Sequence, residues 1–296
     1  MSHYTTFRVG GNAAYFVNVK SEEILIMLIR MLREEGMGYY LLGNGSNLLV
    51  SDHGYDGVMI RLCGDFSKID WTEQTEQSAA GSDSISDNGV ICHAGASVML
   101  TNMAQKAAEH GLAGLEFAYG IPGTVGGAIV MNAGAYGGEM CQIVESVQLL
   151  DENLQIVTRK GDEMAFGYRT SILKKKPYIV LSVRLKLLPA DKKEIMAKMN
   201  TNMSARKEKQ PLEYPSAGST FKRPEGYFAG KLIQDAGLKG YSVGGAQVSE
   251  KHCGFVINTG NATAVDIYHL IRDVQNKVRE TSGVTLEPEV IMLGEF

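Results

Sequence analysis

Apolar positions along this chain fall into two rhythms that alternate. From Glu22 to about Glu35 the pattern EEILIMLIRMLREE predicts an amphipathic helix, with Ser21 at its N-cap, acidic residues in its first turn and Gly36 at its end. Before it, TTFRVGGNAAYFVNV predicts a glycine turn and then a strand; after it, short apolar runs at Tyr39 to Leu42 and Asn47 to Val50 predict two more, so the chain opens as βαββ, with a further strand at Val58 to Leu62. A strand at Val90 to His93 leads into a second amphipathic helix, about Val98 to His110, stopped by Gly111. Strands are predicted at Ile143 to Leu150, Leu154 to Arg159 and Tyr178 to Leu188, closed by Pro189. Beyond a polar helix from Asp191 to about Lys209, Pro211 and Pro215 bracket the way into a further region. That region carries a helix near Phe228 to Ala236, short strands around Ser242 to Val248 and Gly254 to Ile257, and a long helix from Ala264 to Thr281. LEPEVIMLGEF reads as a closing strand. The stretch from Thr72 to Asn88 is polar, lacks aromatic residues and has no apolar period, which predicts an exposed loop.

Length changes this picture into one of several subdomains: 296 residues can bury a substantial core. A formal net charge of −4, with basic residues scattered apart from Lys174 to Lys176 and Arg206 to Lys209, argues against a nucleic-acid partner. No apolar run is long enough to span a bilayer and the N-terminus has no apolar leader core, so the expected location is the cytoplasm, with no membrane partner. Cys63, Cys92, Cys141 and Cys253 form no paired framework and read as reduced thiols. The doublets Cys92-His93 and His252-Cys253 lack further ligands at metal spacing, and no metal site is expected.

Candidate chemistry sits in the glycines. Ala118 to Gly138 reads AYGIPGTVGGAIVMNAGAYGG, and such density lets backbone amides approach a ligand with no Cβ in the way. It is neither a P-loop nor the nicotinamide-binding Rossmann fingerprint, and by itself it equally fits plain turns. A second cluster, LLGNGSNLLV from Leu41 to Val50, places Gly43, Asn44, Gly45 and Ser46 in a tight connection between apolar runs, where several N–H groups could converge on an anion. Taken as a pair, the two segments resemble the pyrophosphate-contacting segments of the vanillyl-alcohol-oxidase (PCMH) type of FAD-binding domain.

FGYRTS at Phe166 to Ser171, YPSAGSTFKRPEG at Tyr214 to Gly226, AGKLIQDAGLKG, VSEKHCGFVIN at Val248 to Asn258 and LEPEV at Leu286 to Val290 extend the likeness over nearly the whole chain. In this order they resemble the UDP-N-acetylenolpyruvoylglucosamine reductase family, in its shorter, second type. The resemblance implies an α+β architecture. A PCMH-type FAD-binding domain over 1–190, with subdomains of about 1–62 and 63–190, would be followed by a smaller substrate domain over 191–284 and a closing strand over 285–296. It implies non-covalent FAD, NADPH as hydride donor, and reduction of UDP-N-acetylglucosamine enolpyruvate to UDP-N-acetylmuramate for peptidoglycan by a monomer or weak homo-oligomer. The expected FAD contacts are Gly43, Asn44, Gly45, Ser46, Asn47, Gly120, Pro122, Gly123, Thr124, Gly126, Gly127, Ala128, Asn132 and Gly134. The implied catalytic residues are Arg169, which would bind the substrate carboxylate, Glu289, which if protonated would share a hydrogen bond with the charge developing there, and Ser219, which would protonate the α-carbon. Tyr168, Lys222 and Arg223 are the expected substrate contacts. Singly, Arg169 also fits a surface ion pair, Ser219 a turn and Glu289 a solvent-facing strand position. A covalently flavinylated oxidase would use the same domain, and a binding module without turnover would have no need of Arg169, Ser219 and Glu289 together. Ile291 stands where many relatives carry a basic residue, which shifts carboxylate binding toward Arg169.

Overall fold

The computed structural model describes residues 1–72 and 89–296. The polar stretch read as an exposed loop, apart from Thr72, lies outside the described residues. Along the chain, β1 (Ala13–Val19) precedes α1 (Glu22–Glu34), where the Ser21 side chain accepts from the Ile24 N–H at 3.4 Å and Leu25, Leu28, Ile29 and Leu32 form the buried stripe. Then come β2 (Tyr39–Leu41), β3 (Leu48–Val50), β4 (Tyr55–Leu62) and β5 (Ile69–Thr72). After β6 (Val90–Gly95), α2 (Leu100–Glu109) buries Met103, Ala104 and Ala107, and β7 (Leu112–Ala113) follows. The glycine stretch holds an element that periodicity does not reveal, the short helix α3 (Val125–Met131), and then the hairpin of β8 (Gly134–Ala135) and β9 (Gly138–Glu139). Next come β10 (Val144–Leu150), β11 (Ile156–Lys160), β12 (Ile179–Pro189) and α4 (Lys192–Lys209). The chain ends with α5 (Ala229–Asp235), β13 (Ser242–Val243), β14 (Ala246–Val248), β15 (Val256–Asn258), α6 (Ala264–Ser282) and β16 (Ile291–Leu293). The closing strand is thus shorter than the LEPEVIMLGEF tail, and Glu289 precedes it.

These elements cluster into two compact units that do not follow chain order. One comprises residues 1–17, 37–60 and 205–296, the other 18–36 and 61–204. The second unit is built on an antiparallel sheet in the order β11-β10-β12-β6-β5, with β7 paired to the end of β12. Val147, Val183 and Leu185 from the sheet share one apolar core with Met103 and Ala107 of α2 and Val125 and Ile129 of α3. Burial of such side chains is what holds helix to sheet, each contributing roughly 1.5–3 kcal/mol. Because α3 packs there, the glycine segments on either side of it are held on a rigid base.

In the first unit, β2 pairs β4 in parallel, β16 pairs β3 in parallel, and β13, β14 and β15 form an antiparallel sheet under α6. Its core brings Phe7, Val9 and Leu49 from the start of the chain against Ile267, Leu270, Ile271 and Val274 of α6.

Candidate functional site

In the first unit the β2–β3 connection carries Gly43, Asn44, Gly45, Ser46 and Asn47. Gly45 has φ +60°, and a Cβ there would lie 2.0 Å from the Tyr4 carbonyl oxygen, so only glycine fits. Among the described residues the backbone N–H groups of Gly43, Gly45 and Ser46 donate to no protein acceptor, although Gly45 is buried. A buried amide left unpaired, as that of Gly45 is, is rare and fits an anionic ligand, whereas Gly43 is exposed.

Asn47 joins this turn to the tail: its Nδ2 donates to the Glu289 carbonyl at 3.0 Å, and its own carbonyl accepts from the Ile291 N–H at 3.0 Å. The segments 219–222 and 286–290 lie side by side. Glu289 N–H donates to Thr220 O at 2.8 Å, Phe221 bridges Pro288, and Lys222 N–H donates to Glu287 O at 2.9 Å. Thr220 is fully buried. Its N–H donates to Gly254 O at 2.9 Å, and its Oγ1 accepts from Val256 N–H at 2.9 Å. Ser219 stands exposed between this anchor and Gly218, which has φ +76°. The structure therefore brings Ser219 and the half-buried Glu289 onto adjacent strands of chain. Lys222 forms an ion pair with Glu287, while the Arg223 guanidinium stacks 3.9 Å from the centre of the Phe228 ring.

In the second unit, Gly120 has φ +93°, and Thr124 caps α3 by accepting from the Gly127 N–H at 3.2 Å. Val125 and Gly126 donate to Val98 O and Ala96 O, both at 2.8 Å, which pins the helix to the loop after β6. Gly126 is helical. A Cβ on it would meet the Cβ and the carbonyl oxygen of Ala96, both at 3.0 Å, so close packing explains this glycine. Gly127 is exposed and Ala128 is buried, while Pro122 and Gly123 lie in the turn ahead of the cap.

Asn132 ends α3 in the left-handed region, φ 43°, at 1% exposure. Gly134 follows, and its carbonyl accepts from Arg169 Nη1 at 3.4 Å. Arg169 lies in a tight turn closed by reciprocal Gly167–Thr170 backbone bonds of 3.1 and 3.2 Å, and it too is left-handed, φ 53°. An arginine at positive φ is strained, and strain of this kind gathers at functional sites. Tyr168, next to it, is 55% exposed, with its ring 5.4 Å from the Arg169 guanidinium carbon.

Two residues here escaped the sequence. Glu139 accepts from Asn132 Nδ2 at 3.1 Å and from the Cys141 thiol at 3.0 Å, and burial, followed by this hydrogen bond, raises the Cys141 pKa above its ordinary value. Their only signal was a single carboxylate at the end of the glycine stretch, which nothing in its spacing distinguishes. Among the described residues no group of three metal-ligating side chains occurs, and no helix is long and apolar enough to cross a membrane.

Comparison with known proteins bears on this geometry. Residues 13–159 match the family model described as FAD binding domain, and residues 210–293 match UDP-N-acetylenolpyruvoylglucosamine reductase, C-terminal domain. The UDP-N-acetylenolpyruvoylglucosamine reductase of Agathobacter rectalis is 54% identical over 296 residues, covering 100% of this chain and 93% of that protein. The reductase of the same name from Caldanaerobacter subterraneus is 50% identical, covering 100% of this chain and 92% of the relative. The crystal structure of UDP-N-acetylenolpyruvylglucosamine reductase from Thermus caldophilus, 38% identical, superposes with a TM-score of 0.80 over 99% of this chain and 97% of that one. A likeness that covers both family domains and the full length carries the activity with it. The chain belongs to the UDP-N-acetylenolpyruvoylglucosamine reductase family, α+β flavoenzymes that use FAD and NADPH to reduce the enolpyruvyl group of UDP-N-acetylglucosamine enolpyruvate in peptidoglycan synthesis.

Proposed function

We propose that Arg169, Ser219 and Glu289 perform the reduction of UDP-N-acetylglucosamine enolpyruvate to UDP-N-acetylmuramate on behalf of this chain, in the cytoplasm, without nucleic-acid or membrane partners, as a monomer or weak homo-oligomer. The observation that carries this reading is Arg169, a bulky residue kept at φ 53° in a turn bonded to the glycine-rich segment. Residues 1–190 would serve the cofactor and residues 191–284 the substrate. The unpaired amides of Gly43, Gly45 and Ser46, with Asn44 and Asn47 beside them, would hold the anionic part of FAD. The stretch from Gly120 through Pro122, Gly123, Thr124, Gly126, Gly127 and Ala128 to Gly134 would line the cofactor by close approach, since the N–H groups of Gly123, Gly126, Gly127 and Ala128 are already donated within the protein. FAD, when bound, supplies the hydride that it has taken from NADPH.

Addition of hydride to the methylene carbon of an alkene conjugated with a carboxylate drives charge into that carboxylate. Arg169 would meet this charge with its guanidinium fork, and Glu289, if protonated, would share a hydrogen bond with it. Ser219 Oγ then donates the proton that the α-carbon needs, and its place on the surface next to buried Thr220 gives it reach without losing position. Lys222 and Arg223 would meet the UDP phosphates, and Tyr168 is a further substrate contact. Lys222 must leave Glu287 to do so.

An anaerobic absorbance trace of Ser219→Ala tests the assignment. NADPH should bleach the flavin band at nearly the wild-type rate, whereas reoxidation by UDP-N-acetylglucosamine enolpyruvate should slow by about 10²–10⁴-fold. Reoxidation at the wild-type rate would remove Ser219 from the chemistry.

A further inference from the structure

We propose that Asn132 is a positioning residue for Arg169, and that Glu139 sets the orientation of Asn132. This rests on the reading above, that Arg169 receives the substrate carboxylate.

The Asn132 side chain is completely engaged. Its Nδ2 has two protons, and both are used: one goes to Glu139 Oε2 at 3.1 Å and the other to Gly167 O at 3.1 Å. Its Oδ1 accepts from Cys141 N–H at 2.9 Å. The sequence places Asn132 among the cofactor contacts, yet at 1% exposure no donor of its amide remains for a ligand. What those donors hold is informative. Gly167 O is the same carbonyl that accepts the Thr170 N–H, the bond that closes the turn presenting Arg169. The Asn132 amide therefore anchors that turn from behind.

Two further bonds join the same pieces of chain. Ser171 Oγ donates to Val130 O at 2.9 Å, and Arg169 Nη1 donates to Gly134 O at 3.4 Å. With Asn132 between them, three hydrogen bonds run from the FGYRTS segment to residues 130–134. Arginine is disfavoured at positive φ, so the turn would relax if these anchors were absent. Glu139 fixes the sense of the Asn132 amide, because a carboxylate at Oε2 selects the NH₂ end. Glu139 is itself held by the Cys141 thiol and by the capping box with Gln142.

Asn132→Gly tests this directly, because glycine keeps the left-handed backbone and removes only the amide. In the purified holoenzyme the variant should retain its FAD content. Its KM for UDP-N-acetylglucosamine enolpyruvate, or the rate at which this substrate reoxidises the flavin, should worsen by about 10–10²-fold, the scale of an ångström-sized misplacement. In an Arg169→Ala background the same change should cost nothing more, since the group to be positioned is gone. Loss of FAD from Asn132→Gly would overturn the proposal in favour of a cofactor ligand. An equal loss in both backgrounds would also overturn it, in favour of a general structural role. If Asn132→Gly is silent while Arg169→Ala is crippled, the positioning role alone fails. If Arg169→Ala itself reoxidises normally, the reading of Arg169 fails and the positioning role falls with it.

Discussion

Two glycines that look alike in the sequence are held for different reasons, and substitution should separate them. Gly45 has positive φ, and a Cβ would lie 2.0 Å from Tyr4 O and 3.0 Å from Thr5 Cα, both parts of the backbone that cannot swing aside. Gly45→Ala should destabilise by at least ~2 kcal/mol. Gly126 is helical and tight only against Ala96, so Gly126→Ala sets a helix gain of ~1 kcal/mol against a contact that a few tenths of an ångström would relieve, and the net change should stay within ~1 kcal/mol. The branched side chain of Gly126→Val should cost ~1–3 kcal/mol by overpacking. Urea unfolding of the three variants checks the ranking, and a Gly126→Ala protein less stable than Gly45→Ala would refute it. At this scale the sequence marked where glycine was needed without saying why. It could not foretell the positive φ of Arg169, since arginine has no preference for that region and the surrounding bonds impose it.

Among the elements, α6 shows most clearly how several weak local terms fix one boundary. Thr263 and Asp266 form a reciprocal capping box, and Asp52, far away in the chain, accepts from the N–H groups of Ala264 and Val265 at 2.9 Å each. Thr263→Ala should cost ~1 kcal/mol. Hydrogen bonds, first that from the Thr263 N–H, hold the Asp266 carboxyl below its ordinary value of 3.8. A depressed carboxylate pKa contributes stability that is present above the unfolded value and is lost as pH falls through the folded one. The stability gap between the wild type and Asp266→Asn should therefore be widest above about pH 5 and close on acidification; a gap that widens in acid would contradict this. The helices α1, α2 and α6 and the strands β10, β11 and β12 were legible to within a few residues, because the apolar period and the residues that bound each element agree there. In contrast, α3 was hidden, since Gly126 and Gly127 weaken helix propensity and it is packing against β6 and β12 that stabilises the turn. The predicted strand from Ser242 to Val248 is split into β13 and β14 by Gly244 and Gly245, whose tight turn sits against the Asp266 carboxylate.

For the whole molecule, the family domains run consecutively along the chain, whereas the first compact unit draws on two segments near its start and on its end. This has consequences for folding. The C-terminal residues 205–296 obtain part of their core from Phe7, Val9 and Leu49, and their last strand, β16, has its parallel partner in β3. Buried Asn258 donates to Phe7 O at 3.0 Å, and the N-terminus of α6 relies on Asp52. Removing residues 1–204 would leave each of these groups either exposed or without its partner. Loss of the three apolar contacts alone, at roughly 1.5–3 kcal/mol for each side chain, approaches the entire 5–15 kcal/mol stability of an ordinary domain. A fragment of residues 205–296, although it contains the complete matched C-terminal domain, should therefore fail to fold cooperatively. Its amide proton spectrum should be poorly dispersed, and urea should produce no sigmoidal transition in circular dichroism. The full chain should show both a dispersed spectrum and such a transition. A well-dispersed fragment with a steep transition would mean that α5, α6 and the β13–β15 sheet suffice for that core, and that the pairing of β16 with β3 is added afterwards.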